Sequence, residues 1–324
     1  MTRRAWLTAS LPILLVLLVG ILFWQSRQTT PTVGTNHVLV VGDQKGGMQA
    51  LLKAAGELDH VPYRIKWALF PAASPLLEAL DANAIDIGGI GAAPFAFAYA
   101  GGAKIKAIAA YRPPPAAAGR ASAIVVPRGS PIRALADLKG KRLATIKGSA
   151  GQDLALKLLE KAGLEPTNVQ WVYLANGEAK AALASGAIDA WSTWGSYVGI
   201  AVLENGDHIL ADGSGVPTGV AFLAASDAAI AEKKAPVADF TARLARARAW
   251  GHAHPNDYAR TLSAETGIPF KVARFSAGSA LGTVVPIDAR LIDEQRAIFQ
   301  RYRAAGVIRS LPDIEGGYLT ALRR

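Results

Sequence analysis

Three short stretches rich in glycine and alanine carry the residues of this sequence whose types and spacing suit the binding of an anion. They cover residues 44–47, 88–94 and 148–152, and each is predicted to follow a β-strand and to open a helix. The first turn of a helix has N–H groups without intrahelical acceptors and a partial positive charge. We therefore predict an anion-binding site, formed by main-chain N–H groups, where the three stretches meet.

The residues expected to contact the ligand here are a glutamine, a serine and six small residues: Gln44, Gly46, Gly47, Gly91, Ala92, Ala93, Ser149 and Ala150. Gly148 has no side chain, so it is expected to let the ligand come close to the main-chain N–H groups of the third stretch. Two alternatives stay open. Ser149 and Gln152 also fit a capping box that satisfies the start of a helix. Gly46 and Gly47 also fit a plain tight turn.

An aromatic segment at residues 189–197, Asp-Ala-Trp-Ser-Thr-Trp-Gly-Ser-Tyr, is predicted to be another strand exit. Trp194 and Tyr197 are followed or preceded by small residues, which favours a place in a cleft. We predict that their rings cover the apolar part of the ligand. Trp191 is predicted to lie in the core.

Motifs for catalysis, metal binding and nucleotide binding are missing from the sequence. It has no cysteine, which removes thiolate metal sites, iron–sulfur clusters and cysteine nucleophiles. The five histidines are scattered, and no H-E-x-x-H, G-x-S-x-G or pair of catalytic carboxylates occurs. Lys147 precedes its glycine, so the third stretch is not a Walker A loop. We predict a binding protein without catalytic residues, metal or cofactor.

Two segments about 103 residues apart, 79–86 and 182–189, share the pattern A-L-x-x-x-A-I-D. Each is predicted to be a helix, a tight turn and a strand, with Asn83 or Gly186 in a left-handed backbone conformation at the turn. Asp86 and Asp189 are predicted to bond to turn backbone. The repeat indicates two halves of like α/β construction.

The predicted fold class is therefore α/β with two lobes, each a sheet flanked by helices. Lobe 1 is expected to cover residues 37–112 and 218–324, and lobe 2 residues 120–212. The hinge crossings are placed near 113–119 and 213–218, where proline and glycine interrupt the pattern. Thr218, at the second crossing, is added to the expected ligand contacts.

Four helices are predicted from caps and periodicity. Ser74-Pro75 and Ser130-Pro131 are expected to start two of them, with serine as N-cap and proline in the first turn. The other two cover about 236–252 and 289–304 and look structural. In the former, three arginines are expected on faces away from the apolar stripe: Arg243, Arg246 and Arg248.

The N-terminus predicts export. Residues 5–24 are twenty uncharged, mostly apolar positions after Arg3 and Arg4, long enough to span a bilayer. The basic pair should stay cytoplasmic, which places the rest in the periplasm or on the extracytoplasmic face of the inner membrane. The segment is either an uncleaved anchor, favoured because small residues are missing at its end, or a cleaved signal sequence.

The formal net charge of +10 is spread along the chain without a block of basic residues. Such a pattern does not indicate a nucleic-acid partner. A content of 51% hydrophobic and 19% charged residues fits a protein with a large core.

Taken together, the motifs resemble the extracytoplasmic solute-binding proteins of ABC transporters for nitrate, sulfonate and taurine, and most of all their aliphatic sulfonate branch. The motifs are Gln-Lys-Gly-Gly at 44–47, Phe-Pro-Ala at 70–72, Gly-Ala-Ala-Pro at 91–94, Lys-Gly-Ser at 147–149, and Asp-Ala-Trp at 189–191 with Trp194 and Tyr197. The resemblance implies a Venus-flytrap protein of the type II periplasmic-binding-protein fold. It would bind a small organic oxyanion as a monomer and deliver it to an ABC permease with ATPase subunits.

Two departures from the family pattern bear on the ligand. Relatives often have aspartate where this chain has Ala92, and Asp-Pro where it has Gly195-Ser196. The loss of two acids disfavours an amino-bearing ligand such as taurine, so a plain alkanesulfonate or a sulfate ester is expected. The alternative is a membrane-anchored sensor or accessory domain for a related anion, which signals rather than transports.

Overall fold

The computed structural model describes residues 38–217 and 219–320. The predicted anchor or signal at residues 5–24 lies outside the described residues, and so does Thr218. Across the described ranges no helix combines the length and the apolar character that a membrane span requires.

Strands and helices alternate along most of the chain. The strands are β1 (Val38–Gln44), β2 (Arg64–Phe70), β3 (Ile87–Gly91), β4 (Ile105–Arg112), β5 (Ser122–Val126), β6 (Arg142–Thr145), β7 (Gln170–Tyr173), β8 (Ala190–Trp194), β9 (His208–Asp212), β10 (Ala221–Ser226) and β11 (Thr283–Val285). The α-helices are α1 (Gly47–Ala54), α2 (Ala73–Asp81), α3 (Ala92–Ala100), α4 (Pro115–Ala118), α5 (Ala150–Lys161), α6 (Asn176–Ala184), α7 (Ser196–Gly199), α8 (Asp227–Glu232), α9 (Lys234–Ala253), α10 (Pro255–Thr266), α11 (Phe270–Ala280) and α12 (Ala289–Ala304).

The strands form two mixed sheets. In the six-stranded sheet the order is β11-β4-β10-β3-β1-β2, with β1 parallel to β2 and β3, and β10 antiparallel to β3 and β4. In the five-stranded sheet the order is β7-β6-β8-β5-β9, with β6 parallel to β7 and β8. The chain therefore builds two lobes, while the residues at which each lobe begins and ends stay a prediction.

The six-stranded sheet has a core on each face. Along β10, Phe222 and Ala224 pack into one core cluster, whereas Leu223 and Ala225 pack into the other. This alternation follows from the two-residue period of a strand. Helices α2, α3 and α12 cover the first face, and α1, α9, α10 and α11 cover the second. The start of helix α3 and the interior of helix α9 thus lie on opposite faces.

The internal repeat is a real correspondence of local structure. Asn83 and Gly186 adopt left-handed backbone conformations, with φ of 55° and 74°. Each aspartate bonds to the strand that pairs with the strand it precedes, not to its own turn as predicted. The N–H of Val40 donates to Asp86 Oδ2 at 2.7 Å, and the N–H of Arg142 donates to Asp189 Oδ2 at 2.8 Å. Each aspartate therefore ties its turn to a neighbouring strand.

The two predicted serine caps are wrong. Helix α2 begins at Ala73 with Ala72 as N-cap, so Ser74 lies inside the first turn and caps nothing. No helix starts at Ser130; its hydroxyl accepts the N–H of Ile132 at 3.2 Å in a local turn. The carboxylate of Asp137 accepts the N–H groups of Arg133 and Ala134. Only a short 3-10 segment, Leu135–Leu138, forms in this region. The helices predicted near 236–252 and 289–304 are confirmed as α9 and α12.

Candidate functional site

A cavity of about 410 Å³ lies between the two lobes, at the ends of strands from both sheets. Most of the predicted ligand contacts line it: Gln44, Gly47, Gly91, Ala92, Ala93, Ser149, Ala150, Trp194 and Tyr197. Gly46 lines a second pocket of about 520 Å³, which shares Gln44, Lys45 and Gly47 with the first. Thr218 lies outside the described residues, between Pro217 and Gly219, which both line the cavity. The three predicted stretches are therefore brought together.

The first stretch does not offer an open helix terminus. The carboxylate of Asp43 accepts the N–H of Met48 at 3.2 Å and the N–H of Gln49 at 2.8 Å, so the protein itself places an anion at the start of α1. The side chain of Gln44 donates through Nε2 to the carbonyl of Gly89 at 2.9 Å. Gly46 has φ of 78°, as the tight-turn alternative requires. The N–H groups of the other two stretches are therefore the better candidates for binding an anionic ligand.

The second stretch presents one N–H group at the start of α3. The N–H of Ala92 donates to the carbonyl of Val220 at 3.1 Å, and Pro94 has no N–H. The amide of Ala93 stands between them. Ala93 lines the cavity from the lobe that contains the six-stranded sheet.

The third stretch faces it from the other lobe. Ser149 is the N-cap of α5, and its Oγ accepts the N–H of Gln152 at 3.2 Å. The predicted capping box is only half formed, because Gln152 Oε1 accepts the N–H of Gly148 at 2.6 Å instead of the N–H of Ser149. Within residues 38–217 and 219–320 the first-turn N–H of Ala150 has no hydrogen-bond acceptor. Helix α5 thus keeps a main-chain donor at the cavity.

Charged side chains add a positive bias to the cavity wall. Lys157 is buried and bonds to Asp153 at 2.6 Å and to the carbonyl of Pro217 at 2.8 Å. Asp153 also accepts from Arg301 of the other lobe at 2.8 Å. One carboxylate is therefore shared by two cations. At the rim, Lys45 Nζ lies 3.6 Å from the centroid of the Tyr197 ring, a cation–π contact between the lobes.

Arg248 is a residue of the cavity that the sequence interpretation missed. The expectation that it points away from the apolar stripe is wrong: Arg248 lines the cavity, and its Cζ lies 4.1 Å from the centroid of the buried Tyr111 ring. Burial lowers the pKa of its guanidinium, against the effects of Tyr111 and Tyr258. A signal was available, because Arg248 follows Leu244, a stripe residue, by four positions, which puts both on one side of a helix.

The aromatic segment divides as predicted between core and cavity. Trp191 is fully buried, and its ring packs edge-on against Tyr197 with centroids 5.9 Å apart. Trp194 is partly exposed and lines the cavity together with Tyr197. The rings are therefore placed to contact an apolar group.

Residues 70–258 match a family described as NMT1/THI5 like. A protein of Escherichia coli K12, provisionally named an aliphatic sulfonates-binding protein, is 38% identical over 193 residues, which are 58% of this chain and 59% of that protein. The chain thus matches about three-fifths of that relative's length.

Two solved structures share the fold. One is the alkanesulfonate-binding protein SsuA from Xanthomonas axonopodis pv. citri bound to MOPS, with 31% identity, a TM-score of 0.79, and coverage of 87% of this chain and 98% of that chain. The other is the periplasmic aliphatic sulphonate binding protein SsuA from Escherichia coli, with 30% identity, a TM-score of 0.76, and coverage of 88% and 92%. The predicted two-lobed α/β fold class is confirmed.

Proposed function

The chain belongs to the NMT1/THI5-like family, and from this premise we propose that it is an extracytoplasmic solute-binding protein for a small organic oxyanion. The ligand is an aliphatic sulfonate or a sulfate ester. Two similar proteins of known structure are described as alkanesulfonate- or aliphatic sulphonate-binding, which supports this ligand class.

The observation that carries the proposal is the pair of helix starts that face one cavity from both lobes. Ala93 at the start of α3 and Ala150 at the start of α5 bring main-chain N–H groups to the cavity wall. Sulfonate oxygens accept such hydrogen bonds, and the helix termini favour a negative charge. Trp194 and Tyr197 then cover the carbon chain. Binding the sulfonate through N–H groups and the carbon chain through aromatic rings needs no covalent step, catalytic residue, metal or cofactor.

Capture works by closure of the lobes. A ligand that contacts both lobes binds the closed arrangement more tightly than the open one, so it shifts the population toward closure. Two contacts that join the lobes support this proposal: Lys45 lies over the Tyr197 ring, and the hydroxyl of Tyr302 donates to the carbonyl of Ser149 at 2.9 Å. The closed protein, a monomer at the periplasmic face of the inner membrane, delivers its ligand to an ABC permease with ATPase subunits.

A ligand screen tests the proposal directly. We expect propane-1-sulfonate and butyl sulfate at one hundred times their Kd to stabilise the full-length chain, purified in mild detergent, by about 2.7 kcal/mol. Such a gain raises Tm by roughly 5 °C. At the same concentration as propane-1-sulfonate, taurine should give a smaller shift, because this chain lacks the two acids that would pair with the ammonium group. Nitrate and succinate are the controls. Thermal unfolding without any shift for sulfonates and sulfate esters would overturn the proposal.

Anion binding is expected to tighten as the pH falls through about 6. Burial raises the pKa of Asp43 to about 6, although the N–H groups of Gln49 and Met48 lower it. Above that pH a carboxylate in the cavity wall repels the ligand, and below it the group is neutral. A sulfonate stays ionised throughout, so its affinity should rise several-fold between pH 7.5 and pH 5.5. Titration calorimetry in matched buffers measures the change.

Asp43→Asn is the matched variant for this pH dependence. It keeps one acceptor for the start of α1 and removes the titration, so the affinity should become flat with pH. The stability effect has the same direction: the native state holds the Asp43 proton more tightly than the unfolded chain, so the free energy of unfolding also falls as pH rises from about 4 to about 6. An affinity that falls on acidification in the native chain would contradict the assignment.

A further inference from the structure

Helix α12, which covers one face of the six-stranded sheet, also packs against helix α5 of the other lobe. Leu156 of α5 belongs to the same core cluster as Ile298 and Phe299 of α12. Ile298 lines the cavity together with Ser149 and Ala150, at the start of α5. The contact between these two helices therefore joins the lobes directly beside the candidate anion-binding site.

Two consecutive residues of α12, Arg301 and Tyr302, hold the start of α5 at two points. The hydroxyl of Tyr302 donates to the carbonyl of Ser149, the N-cap, at 2.9 Å. Arg301 Nη1 donates to Asp153 Oδ1 at 2.8 Å, one turn further along α5. The side chains of Arg301 and Asp153 are only 19% and 9% exposed. Because Ser149 and Asp153 lie on either side of Ala150, these two bonds fix the turn that carries the unpaired N–H group.

Asp153 has a second cationic partner within its own helix. Lys157 Nζ lies 2.6 Å from Asp153 Oδ2, four residues along α5. The Asp153 carboxylate would therefore stay paired if the lobes moved apart, while the Arg301 guanidinium would return to water. Arg301 also lies 3.9 Å from Glu160 Oε2, but Glu160 is 78% exposed, so that contact is weak. The hydrogen bond from Arg301 to Asp153 thus distinguishes the closed arrangement of the lobes from an open one.

A contact that exists only between closed lobes raises the affinity for any ligand that binds them in that arrangement. We propose that Arg301 is a positioning residue for sulfonate binding, which acts through Asp153 to hold the first turn of α5 and to stabilise closure. Of the described residues, those that line the cavity include Asp153 but not Arg301. Arg301 therefore sets the affinity without contacting the ligand. This inference rests on the proposed function and adds a residue outside its predicted ligand contacts.

Arg301→Met in the full-length chain tests the inference, with propane-1-sulfonate as the probe. We expect the affinity to fall about tenfold in titration calorimetry, because a shielded hydrogen bond between charged groups is lost from the closed state. Most of the loss should appear as faster dissociation, measured by stopped-flow tryptophan fluorescence with Trp194 at the cavity as a reporter. Arg301→Lys should recover part of the affinity, since lysine keeps the charge but not the planar fork.

Arg303→Met is the matched control, because Arg303 is an exposed arginine of the same helix. It should leave the affinity and the dissociation rate within about twofold of the native values. Should Arg301→Met not fold, Arg301→Gln replaces it with the same expectation. Native-like affinity and dissociation in the Arg301 variant would overturn the inference, and so would an equal loss in Arg303→Met. A native chain that binds no sulfonate at all would instead refute the proposed function.

Discussion

Replacing Ala150 by aspartate is expected to weaken the binding of an alkanesulfonate by roughly two orders of magnitude while the protein stays folded. Ala150 is the first residue of α5, and it lines the cavity. A carboxylate there would repel a sulfonate bound at the start of the helix, since two like charges about 5 Å apart cost about 3 kcal/mol at an effective dielectric constant of 20. The helix itself tolerates the change, because a negative charge in the first turn interacts favourably with its dipole.

Ala150→Asn separates charge from size in this experiment. The asparagine has nearly the same shape as the aspartate but no charge, so it should lose less than tenfold in affinity. Calorimetry gives the affinities, and thermal unfolding of the free proteins should show Ala150→Asp at least as stable as Ala150→Asn. Equal affinities for the two variants would mean that no anion binds at the start of α5.

The features that follow from local sequence are the ones that could be predicted. The pattern shared by residues 79–86 and 182–189 is short, and helix, left-handed turn and strand exit all depend on neighbouring residues. It therefore indicated two like halves without any knowledge of tertiary contacts. The stripe of α9 and the bounds of α12 follow from helical periodicity in the same way.

The start of α1 shows where such reasoning ends. A glycine-rich turn before a helix predicts free N–H groups, but the carboxylate of Asp43 takes two of them from five and six residues away. That spacing is longer than a capping box, in which the bonded residues are three apart. The identity of the occupant depends on how strand β1 enters the helix, which no local pattern specifies.

Arg248 was missed for a different reason. Periodicity assigns charged residues to the outer surface, and Arg246, which pairs with Glu57, conforms to that rule. Arg248 instead lines a cavity together with residues of α1 and α10, and cavities arise from packing between distant segments. A charged residue next to an apolar stripe is therefore a sequence signal for a side chain that borders the core.

Gly148 was expected to let a ligand approach the main chain, and the structure gives it another role. Its N–H already donates to Gln152, and a Cβ at this position would lie 2.2 Å from Cγ of Phe97, on helix α3 of the other lobe. The lack of a side chain thus allows the lobes to meet. Gly148 also has φ of 71°, a conformation that other residues adopt at a cost.

Gly148→Ala is accordingly expected to lower the free energy of unfolding by about 2–5 kcal/mol, of which about 1–2 kcal/mol comes from the left-handed backbone and the rest from the clash with Phe97. If the lobes separate to relieve the clash, part of this loss will appear as weaker sulfonate binding, by tenfold or more, because the closed state is disfavoured. Denaturant titration and calorimetry on the same preparations measure both effects.

A double-mutant cycle with Phe97→Ala isolates the contact between the lobes. In the Phe97→Ala background the clash has no partner, so Gly148→Ala should cost only the backbone contribution, and sulfonate binding should recover relative to Gly148→Ala alone. The coupling energy between the two positions then reports how closely α3 and the turn before α5 meet in the folded protein. A Gly148→Ala penalty that is the same with and without the Phe97 ring would show that the backbone alone requires glycine and that the lobes do not press together here.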